Sequence, residues 1–342
     1  MAFDPQCEDY QRLALRFALS FKTADDATAT RAFSSFGHRF SQDRDSLPQT
    51  DSDRAFHLVA MATQLIDYEL PFAEEEEANK IIEDGHRILD EAIALDPYCY
   101  DALRMKAAAS NPSFESFLDF LNGHAGDVRA HCETLLSQVD LSEPNERVIL
   151  ASNIAMRPYV RWVATQAEQA LICGRNHECL EHAHHILEVD PTDGADVRFT
   201  AAYAYAKLED EDGLETFVRQ TQSLRRSRPN GDAWTMIARL ALAFKRYDLP
   251  KAREWLQAIL KSYPMAADAL IRQNELPDGI FSRLAVTPYS EDEMVLALSE
   301  GAVLLQEGYE PHNRGTLGGW IGQEIAERYP EALMALVRER GL

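Results

Sequence analysis

The stretch HECLEHAHH at 177–185 gathers four histidines, two glutamates and a cysteine, the side chains that hold metals. A zinc-protease helix needs His-Glu followed by a second His four residues after the first, so that both imidazoles meet one ion. Here that place is taken by Glu181 and His182 follows one residue late, so the pattern fails. Glu178, His182 and His185 do fall at i, i+4 and i+7, which share one helical face. Those three could ligate zinc with water in the fourth position. They define the alternative reading, a metal-binding protein or metal-dependent enzyme. The plainer expectation is solvated or partly packed histidines on an outward face.

Other chemical signals are sparse. There is no GxxxxGK phosphate loop and no GxSxG elbow. GTLGGW (315–320) is glycine-rich but follows no expected strand, so it reads as a break between helices. Asp43-Arg44-Asp45 mimics a metal-binding DxD but lies in a polar stretch and reads as solvated. Cys173 and Cys179 flank Gly174 and read as structural thiols, not a redox pair. No cofactor is expected, and the chain reads as non-catalytic.

Composition narrows the partners. Among 342 residues, 34 Lys and Arg face 56 Asp and Glu, a formal net charge of −22. Binding nucleic acid requires cations that neutralise phosphates, so that class is excluded, and anionic membrane surfaces are disfavoured for the same reason. No apolar run approaches the ~20 residues needed to span a bilayer. The acidic start MAFDPQCEDYQ lacks the basic region of a secretory signal, and the five cysteines contain no CxxC. Together these suggest a cytoplasmic protein with free thiols. The run Glu74–Glu77 precedes a helix and complements its N-terminal dipole; the sharper alternative is an acidic docking patch.

The elements that must position these residues read as helices throughout. Glycine and proline are few, 16 and 15, and strong helix formers abound. Phe56, Val59, Ala60, Ala62, Leu65 and Ile66 form one helical stripe in 55–69. Met294, Val295, Leu298, Ala302 and Leu305 form another in 290–306, opened by Ser290 with Glu293 in a capping-box arrangement. The fold class is therefore all-α. The first 70 residues should hold helices near 7–21, 24–40 and 52–69, with 41–53 an exposed, mobile loop.

Helix ends recur before Pro97, Pro191, Pro229 and Pro264, the last three 38 and 35 residues apart. A helix pair closed by proline every ~34 residues is the tetratricopeptide period. With each proline at position thirty-two, Val163, Ala167, Ala170, Gly174, Ala183 and Ile186 fall at packing positions of 160–193, and Trp234, Ala238, Ala241, Ala252 and Ile259 do so in 231–264. The unit 194–230 keeps Val197 and Ala201 but carries extra residues near Glu209–Gly213. Residues 158–264 thus resemble tetratricopeptide repeats. VDPTDGADVRF (189–199), the AW at 233–234 and 276–306 are similar to bacterial tetratricopeptide proteins related to the suppressor-of-tumorigenicity-7 family.

That resemblance implies a right-handed superhelix of antiparallel helix pairs and no catalytic residues. The expected organisation is N-terminal helices in 1–70, a divergent helical-repeat region in 71–157, repeats in 158–264 and capping helices in 265–342. Within 311–340, Trp320, Ile321, Ile325, Leu333 and Leu336 could cap or dimerise, leaving monomer and homodimer open. The family's groove positions place Arg161, Arg198, Tyr205 and Arg239 on an inner wall, with Leu171, Ala202, Thr235 and Leu242. Arginine forks there could hold carboxylates of a protein or peptide, or each could pair with a neighbouring acid such as Glu168 or Asp232. The Lys/Asn clamp of chaperone-binding members is not matched: its positions carry Ala164, Glu168, Arg198, Ala202, Thr235 and Arg239. Arg225 and Arg226 near a helix end complement its C-terminal dipole. The expected function is an adaptor or scaffold binding a protein or peptide in the groove.

Overall fold

The structure is a computed structural model that describes residues 4–21, 26–142, 145–224, 231–263, 265–273, 276, 286–287, 289–311 and 314–330, with 26–33 and Phe72 as backbone only. The described residues are helical, with no strand among them. The chain divides into two compact units, Asp4–Val163 and Ala164–Leu342. The first takes in residues 4–70 and the whole of the 71–157 segment, which the sequence separated, and the start of the expected repeat tract.

In the first unit, α1 (Pro5–Ser20) is opened by Asp4, whose carboxylate accepts the Cys7 N–H at 2.9 Å, with Pro5 at the first helical position. It buries Leu13 and Phe17 against Phe36 of α2 (Asp26–Gln42). The segment 41–53 departs from the expected free loop. Leu47 joins that same core, Arg44 reaches the Asp9 carboxylate and Arg39 donates to the Ser46 carbonyl at 2.6 Å. A short polar stretch with one apolar residue is anchored by that residue, because burying a leucine contributes ~1.5–3 kcal/mol.

Thr50 and Asp53 form a reciprocal capping box that starts α3 (Asp51–Thr63). Beyond Thr63 the helix widens into one π-helical turn, Gln64–Glu69. α4 (Glu75–Leu95) packs along α3, and Gly85 lets it approach the π turn: a Cβ there would stand 2.9 Å from Ile66. Glu75, Glu76 and Glu77 occupy its first turn and are exposed, as the dipole reading expects. α5 (Tyr100–Ser110) and α6 (Phe114–Ser137) follow, and α7 (Glu146–Ile172) docks on α6 where the Trp162 indole N–H donates to the Leu121 carbonyl at 2.9 Å.

The second unit is built from hairpins with short turns. α8 (Asn176–Val189) packs on α9 (Val197–Lys207), α9 on α10 (Glu211–Gln220) and α11 (Ala233–Lys245), and α11 on α12 (Leu249–Ser262). The turns are fixed by aspartates. Asp190 accepts from the Thr192 and Gly194 amides, while Asp210, Asp232 and Asp248 cap α10, α11 and α12. Small alanines at 0% exposure (Ala183, Ala201, Ala238, Ala241, Ala252) let the helices approach closely. Pro229 and Pro264, Arg225 and Arg226 lie outside the described residues.

α13 (Ala266–Ile271), α14 (Glu291–Glu300) and α15 (Ala302–Leu305) complete this unit with α16 (Gly315–Arg328). Ser290 caps α14 as expected, but the Glu293 carboxylate takes the Tyr289 amide instead of the Ser290 amide. The stripe 290–306 is broken at Gly301 into two helices. GTLGGW is not a break: it is the first turn and a half of α16. Gly315 has φ +68°, and a Cβ there would collide with the Leu305 and Gln306 backbone, so only glycine admits this start. Ile321 and Ile325 are fully buried within the unit, and Trp320 packs on Phe244 with centroids 5.3 Å apart. Leu333 and Leu336 lie outside the described residues.

Candidate functional site

The four arginine and tyrosine candidates have four different environments. Arg161, on α7, is 8% exposed. Its Nε and Nη2 donate to the two Asp101 oxygens at 2.7 and 2.5 Å, and Nη1 donates to Glu8 at 2.9 Å. Burial, the largest single effect, pushes both carboxyls up, but Arg161 together with Arg12 and Arg157 at Glu8, and with Arg104 and Arg12 at Asp101, outweighs it and holds each below the usual carboxylate range. Arg161 therefore ties α1 and α5 to α7 through carboxylates distant in sequence.

Arg198 opens α9 and donates through Nη1 to Asp193 and Asp196, both at 2.6 Å, with its guanidinium 4.1 Å over the Phe199 ring. Burial opposes its charge, yet the Asp196 and Asp193 carboxylates raise its pKa. Asp193 and Asp196 both adopt positive φ, 52° and 54°, and the bridging guanidinium holds this turn. Tyr205 is buried, its hydroxyl 3.0 Å from His184 Nε2 and its ring against Phe217. Burial and then Asp210 raise the phenol pKa, so it stays neutral.

Arg239 alone faces an open cleft. Its fork binds Glu215 bidentately at 2.6 and 2.7 Å, and the guanidinium lies 4.9 Å above the Trp255 ring. The cleft holds about 470 Å³ between α10, α11 and α12. Arg239, Leu242 and Arg246 line it from one face of α11, Lys251 and Trp255 from one face of α12, and Glu211 and Glu215 from α10. Arg246 pairs with Glu211 at 3.0 Å and Lys251 with Glu254 at 3.2 Å. Asp248, which also lines the cleft, caps α12. The walls thus carry three cations and three carboxylates around one indole face, a neutral enclave in a chain of charge −22. The walls offer paired charges and one aromatic face, with no histidine or cysteine among the residues that line them.

Sequence reasoning found Arg239 and Leu242 but missed Arg246, Lys251, Trp255 and the α10 glutamates. The signal for Arg246 was present, since 239, 242 and 246 share a helical face. The role of α10 depends on how three helices meet, which spacing along one helix does not encode.

The histidine helix does not converge on a metal. His182 Nε2 is 3.7 Å from Glu178, His185 turns to Glu188 at 4.0 Å, and His184 goes to Tyr205. Burial lowers the His182 pKa, with Glu178 opposing. No group of three or more His, Cys, Asp or Glu side chains suited to a metal occurs among the described residues. Cys173 and Cys179 are free thiols, and Cys179 is buried. Burial pushes the Cys99 and Cys132 thiols up to about 12 and about 11, which makes both poor nucleophiles. Asp43 and Asp45 flank the Arg44 that serves Asp9. No helix among the described residues is long and apolar enough to cross a membrane.

No family model matches the chain, and neither the curated proteins nor the solved structures contain a significant match to it.

Proposed function

We propose that this protein is a non-catalytic helical-repeat scaffold of the tetratricopeptide kind, which binds a protein or peptide segment along the inner wall of its second unit. The cleft between α10, α11 and α12 carries this reading: Arg239, locked by Glu215 over Trp255, is a preorganised planar donor at the centre of an accessible concavity. Each cation there already has a carboxylate partner, so the ligand must replace as well as add pairs. A peptide of mixed charge does this by offering an acid to Arg239 or Arg246 and a base to Glu211 or Glu215. The recognition residue set narrows to Arg239, Arg246 and Trp255, while Arg161 is taken up by Glu8 and Asp101 within the first unit and Arg198 and Tyr205 by neighbours within the second. The free cysteines support a reading in which the scaffold works in a reducing compartment such as the cytoplasm.

The test is a displayed library of mixed-charge peptides panned on the full chain. Selected peptides are then measured by fluorescence anisotropy on Arg239→Ala, Trp255→Ala and Arg198→Ala. The first two should weaken binding about ten-fold or more, a hot-spot loss of ~1.4 kcal/mol, without lowering helical content. Arg198→Ala should lower stability with little effect on affinity. Peptides that bind wild type and Arg239→Ala alike would remove the cleft from the argument.

A further inference from the structure

The unit Asp4–Val163 contains a second cavity of about 340 Å³ whose walls are mainly apolar. Phe40, Ala60, Met61 and Leu65 form them, and the imidazole of His57 stands among these side chains, about a third exposed. The volume lies in the range of small-molecule sites, about 300–1,000 Å³.

His57 is held as a positioned base is held. Its Nδ1 meets Asp9 Oδ2 at 2.8 Å. Asp9 is nearly fully buried, and Arg44 donates to both its oxygens, at 3.0 and 2.5 Å. Arg44 is oriented in turn by Gln49 at 2.7 Å and by the Asp53 carbonyl. Burial alone would raise the Asp9 pKa, but hydrogen bonds from His57 and Arg44 keep it below the ordinary value, so it is a carboxylate. A carboxylate accepts the Nδ1 proton, and in the neutral ring this leaves the Nε2 lone pair for another group. No partner for Nε2 is found among the described residues.

The backbone beside it is also specialised. Where α3 would continue, the chain takes a π-helical turn at Gln64–Glu69, and Gln64 and Leu65 fall on the cavity wall. Single π turns are rare and recur at functional sites because they redirect side chains that a regular helix would send elsewhere. A His–Asp pair that served stability alone would need neither an apolar cavity at its free nitrogen nor this change of helical register.

We propose that this cavity binds a small apolar molecule carrying one hydroxyl, of the size and chemistry of an alkylphenol, with the hydroxyl donating to His57 Nε2 and the body packed between Phe40, Met61 and Leu65. The site is independent of the peptide cleft of the other unit, and failure of either leaves the other standing.

The full-length protein is titrated with 4-propylphenol and with its methyl ether, which has the same body and no donor. Binding is followed by calorimetry and by the imidazole nitrogen resonances, with His57 assigned by substitution. The phenol should saturate one site and move the His57 Nε2 resonance, and the ether should bind about five- to ten-fold more weakly, the value of one neutral hydrogen bond. His57→Phe should abolish that preference while the helical melt is kept, and Met61→Trp, which fills the mouth, should remove both ligands. Equal affinity for phenol and ether, a Nε2 resonance that does not move, or no saturable binding by wild type overturns the proposal.

Discussion

Arg161 offers the sharpest test of how this chain is held together. Its side chain and those of Glu8 and Asp101 are 8%, 2% and 3% exposed, so Arg161→Ala strands two carboxylates in the interior. Removing one member of a buried ion pair costs ~3–5 kcal/mol, most of it the penalty of the uncompensated charge. Arg12, Arg104 and Arg157 lie near enough to recover part of it, which favours the lower end of that range. With a urea slope of about 2 kcal/mol per molar, the midpoint of the transition that unfolds this unit falls by about 1.5 M. Hydrogen exchange of peptides from α1 and α5 localises the loss, because those are the helices Arg161 ties to α7. The pH dependence has a defined sign. In the wild type both carboxyls are held below their unfolded values, so their stabilisation is complete above the ordinary carboxylate range and is lost as pH falls below it through the lowered folded-state values. In Arg161→Ala burial is left to dominate at Asp101, and protonation then relieves the variant. The gap between the two proteins should therefore be widest near pH 7 and shrink towards about pH 4, the range of unperturbed carboxyls. Arg161→Lys keeps the charge without the fork and should lie between them. A midpoint shift below ~0.5 M (about 1 kcal/mol at that slope), or equal shifts at both pH values, would refute the account and return Arg161 to the pool of groove residues.

Gly315→Ala forces a Cβ into the Leu305 and Gln306 backbone at positive φ and should destabilise the second unit by about 1–3 kcal/mol, read as a lower urea midpoint. Thiol titration with a disulfide reagent at pH 8 should label exposed Cys7 fast and Cys173 more slowly. Cys99, Cys132 and Cys179 should react only after unfolding, and rapid labelling of all five would contradict their burial. Thr50→Ala removes half of the capping box and should cost about 1 kcal/mol, with added exchange at the start of α3.

Much of the secondary structure was legible because it rests on short-range rules. The three N-terminal helices expected at 7–21, 24–40 and 52–69 correspond to α1, α2 and α3 with its π extension, since apolar stripes and caps act within four residues. Ser290 announces α14 for the same reason. Several alanines that the spacing picked out are buried where the helices of the second unit meet, since small side chains permit close contact. GTLGGW misled because glycine normally ends helices; here it is required by a backbone that passes close to Gly315, and nothing near it in sequence says so. Likewise 41–53 looked free because its one apolar residue, Leu47, makes its contacts in space.

The candidate sites divide along the same line. Sequence reasoning took Arg239 and Leu242 from the groove positions that the tetratricopeptide resemblance implies, and ruled out the zinc-protease pattern at 177–185 by helical spacing. It could not distinguish Arg161, bound to residues 60 and 153 positions away, from Arg239, bound across a cleft wall. It gave no sign of Asp9, Arg44 and His57, on three segments joined by hydrogen bonds that bring Asp9 and His57 to one apolar cavity. The sequence by itself determined an all-helical chain with its caps, its alanine-lined packing positions and its acidic surface, because each depends on local backbone energetics or on composition. Only the tertiary structure decided which charges are buried, which face a cavity and where a helix changes register. Those outcomes depend on which distant side chains share one low-dielectric space, and no spacing along a single helix records that.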